Sequence, residues 1–344
     1  MRDLLQPITD WFENGERVAL ATVVSTWGSS PRPAGSIMAV SSSGKIAGSV
    51  SGGCVESAVV ERALAVLGGG SPELMHFGVS DETAWEVGLA CGGTIEVFIS
   101  PLGSTDFEHM KSIINRRQPL LYAIILSGSP DILGKTVIFD GAEVTPDEWG
   151  LLAGADRLPD RIRSALTQHM PQRITIEGEP DLELFINTVL PPERLLIVGG
   201  VHIAIALASL AQRLDYETVV VDPRRLFASP DRFPGVDQLI QAWPQEALSQ
   251  LEITSSTAVA VLTHDPKIDD PAVIAALNSP AFYVGVLGSR KTHAARLERL
   301  RKAGVEEEVL ARIHAPIGLD LGAKSPEEMA LSILAEIVAS RRKR

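Results

Sequence analysis

The chain carries only two cysteines in 344 residues, and aromatic side chains make up just 5% of it. Two thiols cannot build a disulfide framework, and neither Cys54 nor Cys91 has the CxxC or HxxxH companion that zinc requires. Positive charge is also scarce, with 31 Lys and Arg against 43 Asp and Glu and a formal net charge of −12. That balance argues against general binding to nucleic acid or to an anionic membrane surface, so any anionic ligand must be held by a local device. Long apolar runs are missing too. The nearest approach, LLIVGGVHIAIALASLA from Leu195 to Ala211, is short for a membrane span and is interrupted by Gly199, Gly200 and His202. It reads instead as a strand, a turn and a helix. The opening MRDLLQPITDWFENGE has acids and no apolar signal-peptide core, and the expectation is a cytoplasmic protein.

What is present is the composition of a globular protein, 45% hydrophobic and 22% charged, in a chain too long for one ordinary core. Two domains are expected, residues 1–190 and 191–344, meeting at Pro191 and Pro192. The first half predicts a helix over 2–13 and strands at Val18 to Val24, Ile37 to Val40, Thr94 to Ile99, Leu120 to Leu126, Thr136 to Phe139 and Glu183 to Val189. A helix follows Cys54 and stops at Gly68, Gly69 and Gly70, while residues 141–183 read as loops with one helix. The irregular order marks an α+β domain.

The second half alternates regularly. Strands are expected at Leu195 to Val198, Thr218 to Val221, Thr257 to Leu262 and Phe282 to Leu287, with helices between them. The first of those helices places Ile203, Leu207, Leu210 and Leu214 on one face. Apolar strands alternating with helices are the signature of a Rossmann-like, doubly wound parallel sheet, giving an α/β chain overall. The final helix opens at Ser325, Pro326, Glu327 and Glu328, the pattern of a capping box with Pro at the first helical position.

The stretch GSVSGGCVESAVVERA, Gly48 to Ala63, sets a thiol where a glycine loop meets a helix. There the helix dipole favours a thiolate, and Gly52 and Gly53 let an anion approach unpaired backbone amides. The plainer alternative is that Cys54 is a small buried hydrophobe and the glycines shape a turn. Cys91 repeats the arrangement beside Gly92 and Gly93 in GLACGGTIEVFIS. With Arg32, the two thiols suit sulfur transfer or contact with a soft or dithiolene-bearing cofactor.

In the second half, a dinucleotide fingerprint laid on Gly199 continues through Val201 and Ala204, so the second glycine is replaced. Asp222 ends the next strand where a carboxylate would bond a ribose hydroxyl. The domain either binds a nucleotide or is kept for its fold alone. Gly288, Ser289, Arg290 and Lys291 begin another helix after a strand, a second candidate anion site, and His202 and His264 are candidates for acid/base or structural roles.

The segments TWGSSPRPAGSIMAV, GSVSGGCVESAVVERA, GLACGGTIEVFISP, GGVHIAIAL, VVVDPR, LTHD, VGVLGSR and HAPIGLDLGAKSPEEMALSILAEIVA follow one another as in XdhC/CoxI proteins, and the chain resembles that family over nearly its whole length. These are accessory factors of xanthine dehydrogenase and CO dehydrogenase. The resemblance implies an N-terminal XdhC/CoxI domain and a C-terminal Rossmann domain. It also implies a molybdenum-cofactor chaperone rather than a turnover enzyme: a protein that binds molybdopterin transiently, supports its sulfuration by a cysteine desulfurase and delivers it to an apo molybdenum hydroxylase. It brings over Arg32 to Gly35, Gly52, Gly53 and Cys54, and Cys91, Gly92 and Gly93 as the cofactor site, with Gly199, His202 and Asp222 in the Rossmann domain. Where the family commonly reads Gly-Ala-Gly-His, this chain has Gly199, Gly200, Val201 and His202, which puts nucleotide binding there in doubt. A homodimer through the first domain is expected. The rival reading is an NAD(P)-dependent oxidoreductase whose cofactor lies over Gly199 and Asp222, with Gly288 and Arg290 as further nucleotide contacts.

Overall fold

The apolar run from Val18 onward becomes β1 (Val18–Trp27), the central strand of an antiparallel sheet ordered β3-β2-β1-β5-β4. Its neighbours are β2 (Ile37–Ser41) and β5 (Thr94–Leu102), with β3 (Ile46–Gly48) and β4 (Glu73–Phe77) at the edges. Because successive side chains alternate faces, β1 serves two cores at once. Ala19, Ala21 and Val23 face α2 (Glu56–Leu67) through Val55, Val59, Ala63 and Val66. Val18, Leu20 and Val24 face the opposite core, shared with α1 (Leu5–Glu13), α3 (Ser104–Asn115) and a second sheet. Each fully buried Leu, Phe or Val there contributes about 1.5–3 kcal/mol of transfer free energy.

That second sheet is antiparallel, ordered β7-β6-β9-β8, with β6 (Leu120–Ser127), β7 (Thr136–Phe139), β8 (Gln172–Ile176) and β9 (Leu182–Val189). Over residues 172–176, β8 replaces the loops expected within 141–183; residues 141–170 and 177–181 of that stretch, with the expected helix, lie outside the described residues. The short polar-apolar pattern of β8, QRITI, pairs antiparallel with β9, the next strand in the chain, from Ile176 opposite Leu182 to Gln172 opposite Ile186. This computed structural model describes residues 1–29, 32–78, 93–139, 171–176 and 182–342. It divides into two units, Met1–Pro191 and Pro192–Arg344.

The second unit is a six-stranded parallel sheet ordered β12-β11-β10-β13-β14-β15. The strands are β10 (Arg194–Val198), β11 (Glu217–Val221), β12 (Gln238–Ile240), β13 (Thr257–Val261), β14 (Tyr283–Val286) and β15 (Ile313–His314). One face is covered by α4 (His202–Arg213) and α9 (Pro326–Arg341). The other carries α5 (Pro244–Gln250), α6 (Pro266–Leu277), α7 (Arg290–Lys302) and the single turn α8 (Glu307–Leu310). This is the doubly wound sheet that the alternating pattern implied.

The buried face of α4 differs from expectation. Ala204, Leu207, Ala208 and Ala211 meet the sheet, whereas Leu214 is 50% exposed. Alanines let the helix lie close, and the longer Ile203 and Leu210 flank the contact. The chain leaves β10 toward β11 on one side and returns to β13 on the other, so the strand order reverses between β10 and β13. Crevices at such reversals, beyond the carboxyl ends of the strands, are where open α/β sheets bind ligands.

Candidate functional site

Register alone brings three segments of the first unit to one end of its five-stranded sheet. Trp27 pairs with Thr94, Thr22 with Ile37, and Met38 with Gly48. The turn carrying Arg32 and Gly35, the residue Gly93 and the loop carrying Cys54 therefore all leave the sheet there. Cys91 and Gly92 lie outside the described residues.

Within the Cys54 loop, Gly52 and Gly53 have φ of +83° and +123°, and a Cβ at either would meet nothing within 4 Å. The left-handed turn requires glycine, while the space around it is open. The amides it gathers are already taken. Glu56, the first residue of α2, folds its carboxylate back into the loop. Its Oε1 accepts the Ser49 hydroxyl at 2.7 Å and the amides of Ser51, Gly52 and Val50 at 2.9, 3.0 and 3.3 Å. Its Oε2 accepts the Ser51 hydroxyl at 2.5 Å and the amides of Gly53 and Val55 at 2.9 and 3.2 Å. Burial opposes ionisation of Glu56, but the hydroxyls of Ser51 and Ser49 and the loop amides outweigh it and hold the carboxyl well below the usual range. The expected anion site at Gly52 and Gly53 is therefore filled by the protein's own anion.

Cys54 itself is free and exposed, its amide donating to Ser51 Oγ at 3.0 Å. It is not the small buried hydrophobe of the plainer reading. The loop holds the thiol outward on a backbone pinned from beneath by Glu56 and Ser51. Arg32 is exposed in the neighbouring turn.

Gly35 and Gly93 have packing reasons to be glycine. A Cβ on Gly35 would sit 2.8 Å from Asn187 Oδ1 and from Pro171 Cγ, and Asn187 Nδ2 donates to the Gly35 carbonyl at 3.1 Å. A Cβ on Gly93 would meet the Ser29 and Trp27 carbonyls at 2.7 and 2.9 Å. Both allow close backbone approach and so shape the end of the sheet that presents Cys54.

In the second unit, Asp222, expected to bond a ribose hydroxyl, is taken up by the turn after β10 and by Arg224. The Gly200 amide donates to Asp222 Oδ2 at 2.8 Å. Arg224 donates its amide and Nε to Oδ1, both at 2.9 Å, and Nη2 to Oδ2 at 2.7 Å. Asp222 is fully buried; desolvation opposes its ionisation, and Arg224 with Gly200 overcomes it, so its carboxyl lies below the usual range. A Cβ on Gly200 would stand 2.3 Å from the Phe227 carbonyl oxygen, Arg232 Nη2 donates to the Gly200 carbonyl at 2.8 Å, and the Arg224 guanidinium lies 3.9 Å over the Phe227 ring. The segment after β11 thus packs directly on the turn where a pyrophosphate would approach, which counts against the NAD(P) reading. His202 and His264 are both exposed, at the start of α4 and just beyond β13.

The sequence reading missed a buried polar network at the reversal point. Thr263 donates its hydroxyl to Asp269 Oδ1, and Arg296 Nη2 reaches Asp269 Oδ2 at 3.3 Å and the Leu287 carbonyl at 3.0 Å. Burial raises the Asp269 carboxyl to about 6, against the lowering pull of Thr263 and Arg296. Nothing in their residue types sets these two apart: Asp269 stands in the first turn of α6, where an acid complements the dipole, and Arg296 is one of several bases on the polar RKTHAARLERLRK helix. The one available signal was that both follow strand ends, at LTHD and LGSR.

Comparison with known proteins accounts for both units. The family model described as the XdhC and CoxI family matches residues 11–78, and the XdhC Rossmann domain matches residues 195–337. A Bacillus subtilis protein named as a probable xanthine dehydrogenase subunit is 28% identical, over 96% of this chain and 95% of its own. The Escherichia coli molybdenum cofactor insertion chaperone PaoD is also 28% identical, over 99% of this chain and 88% of its own. A crystal structure described as a xanthine dehydrogenase from Bacillus halodurans superposes with a TM-score of 0.76 at 24% identity, covering 99% of this chain and 96% of that one, and shares the fold. With both halves matched in order, the chain belongs to the XdhC and CoxI family.

Proposed function

We propose that this protein is a molybdenum-cofactor chaperone: it holds the cofactor and delivers it to an apo molybdenum hydroxylase of the xanthine dehydrogenase or CO dehydrogenase type. The observation that carries the reading is Cys54, a free thiol held outward on a fixed glycine loop in the unit that matches the family. The name of the E. coli relative supports the same cargo.

The residues fit part of the cofactor. A thiol beside open space suits its soft, metal-bearing end, and Arg32 on the neighbouring loop supplies positive charge at the same end of the sheet. The Gly52 and Gly53 amides do not suit its phosphate, because Glu56 already satisfies them. When bound, the cofactor supplies a dithiolene-held molybdenum; the chain's part is to bind, orient and shield it. Sulfuration with a cysteine desulfurase partner, a homodimer and a cytoplasmic setting belong to the same proposal, and among the described residues no helix is long and apolar enough to cross a membrane.

The test is retention. Protein purified anaerobically from a cofactor-replete host should carry molybdenum and pterin together, and Cys54→Ser should lose both while keeping its fold. Equal retention in the variant would remove Cys54 from the role.

A further inference from the structure

α9 carries apolar residues on every side, although only one of its faces lies on the sheet. Ala330, Ile333, Leu334 and Ile337 are buried in the core shared with α4 and the strands. On the side turned away, Leu331, Ala335 and Val338 recur at helical spacing, with Leu331 54% exposed and the other two partly exposed. The loop before α9 enlarges this apolar surface. The Leu319 amide donates to the Ser332 carbonyl at 3.1 Å, and a Cβ on Gly318 would stand 2.5 Å from Ser332 Oγ. The loop therefore lies against the helix beside Leu331, with Leu319 and Leu321 41% and 56% exposed. Leucines gathered in this way make a patch, not the scatter of single apolar side chains that any surface shows.

The two ends of the stripe carry opposite charge. Glu327 stands one turn before Leu331, and Arg342 one turn beyond Val338. Both are exposed, and among the described residues neither has an ionic partner. The neighbouring charges are already used within the unit. Glu328 closes the capping box on Ser325, Glu336 accepts the Tyr283 hydroxyl at 2.6 Å and the Gly318 amide at 2.7 Å, and Arg341 meets Glu193 at 3.2 Å. An acid at the start of a helix and a base at its end suit the dipole. The dipole gives no reason for the exposed apolar stripe between them.

We propose that this stripe is the surface on which a second copy of the chain docks, with the two α9 helices antiparallel about a two-fold axis between Leu334 and Ala335. A single register satisfies every group on the stripe. Glu327 faces Arg342 of the second copy, Leu331 faces its Val338, and the small Ala335 at the axis lets the helices approach closely. The two-fold axis repeats each of these pairs, so both ends of the contact are neutralised and its centre is apolar. A partner of another sequence would have to present the same order of charges reversed, which a second copy carries by symmetry. The contact lies wholly in the second unit, whereas the sequence reading expected a dimer through the first. It does not depend on the cofactor role, which a monomer would leave standing.

The test is the oligomeric state of the full chain, by sedimentation velocity from about 1 to about 100 µM. A dimer is expected, weakened about a hundredfold by Leu331→Glu, a change at an exposed position that leaves the core intact. Glu327→Arg and Arg342→Glu should each weaken it about tenfold. The variant with both changes should regain the parent affinity, because the pairs re-form with their signs exchanged. The helix dipole predicts the reverse, a further loss in the double variant, so recovery cannot come from the stability of α9 itself. A monomer throughout that range overturns the inference. So does a dimer that Leu331→Glu leaves unchanged, which would place the contact elsewhere on the chain, and so does a double variant that associates no more tightly than the single ones.

Discussion

Glu56 shows how far a single residue can be read from a sequence. Position and type place it in the first turn of α2, where an acid complements the dipole. That it would turn backward and take four loop amides and the amide of Val55, besides two hydroxyls, depends on the left-handed Gly52 and Gly53, which no periodicity reveals. Glu56→Gln removes the charge from these bonds and should cost about 1–3 kcal/mol, read from the urea midpoint, with faster amide exchange at Gly52 and Gly53. A variant with unchanged midpoint and exchange would show that the loop holds its shape without the carboxylate. The Asp269 carboxyl gives a second residue-scale prediction. Its folded pKa is raised to about 6, above its unfolded value. Between about pH 3.9, the ordinary aspartate value, and the folded pKa, the folded chain binds a proton that the unfolded chain releases, so the stability contribution of Asp269 falls as pH rises. Glu56 and Asp222, with lowered folded values, contribute above the ordinary carboxylate value and lose that contribution as pH falls through their folded values. Asp269→Asn should therefore gain on the parent chain as pH rises across the first window; parallel stability curves would contradict the assignment.

At the scale of elements, caps and apolar patterns were readable because they are local. The Ser325 hydroxyl accepts the Glu328 amide at 3.2 Å and Glu328 returns the bond to the Ser325 amide at 3.0 Å, the capping box visible in the sequence. Ser325→Ala should cost about 1 kcal/mol by thermal or urea unfolding, and no measurable loss would show that α9 is held by its packing alone. Edge strands were harder to read. β3, β4, β12 and β15 are short, and each pairs with one neighbour, so their sequences carry little apolar signal of their own. The α4 face was misjudged because large residues were weighted over alanines. Gly200 belongs at this scale too, since it closes a turn between β10 and the segment after β11. Gly200→Ala forces a Cβ to 2.3 Å from the Phe227 carbonyl and should destabilise the second unit by about 1–3 kcal/mol, as overpacking does. A neutral result would mean that the segment after β11 moves away readily, and would return the nucleotide reading to consideration.

For the whole molecule, the alternating pattern revealed the parallel sheet, and motifs along the chain pointed to the family. What they could not show is how each candidate group is employed. Asp222 bonds Gly200 and Arg224, and Glu56 fills the glycine loop, because a carboxylate takes the nearest amides and cations whatever a motif suggests. With a net charge of −12, the surface as a whole would repel an anionic cargo, so the proposed retention calls on local groups, the role proposed for Cys54 and Arg32. The most direct measurement is the molybdenum and pterin content of the anaerobically purified protein, compared with that of Cys54→Ser. The account predicts both in matching amounts and their joint loss in the folded variant. Absence of both from the parent protein, even after reconstitution with free cofactor, would contradict it.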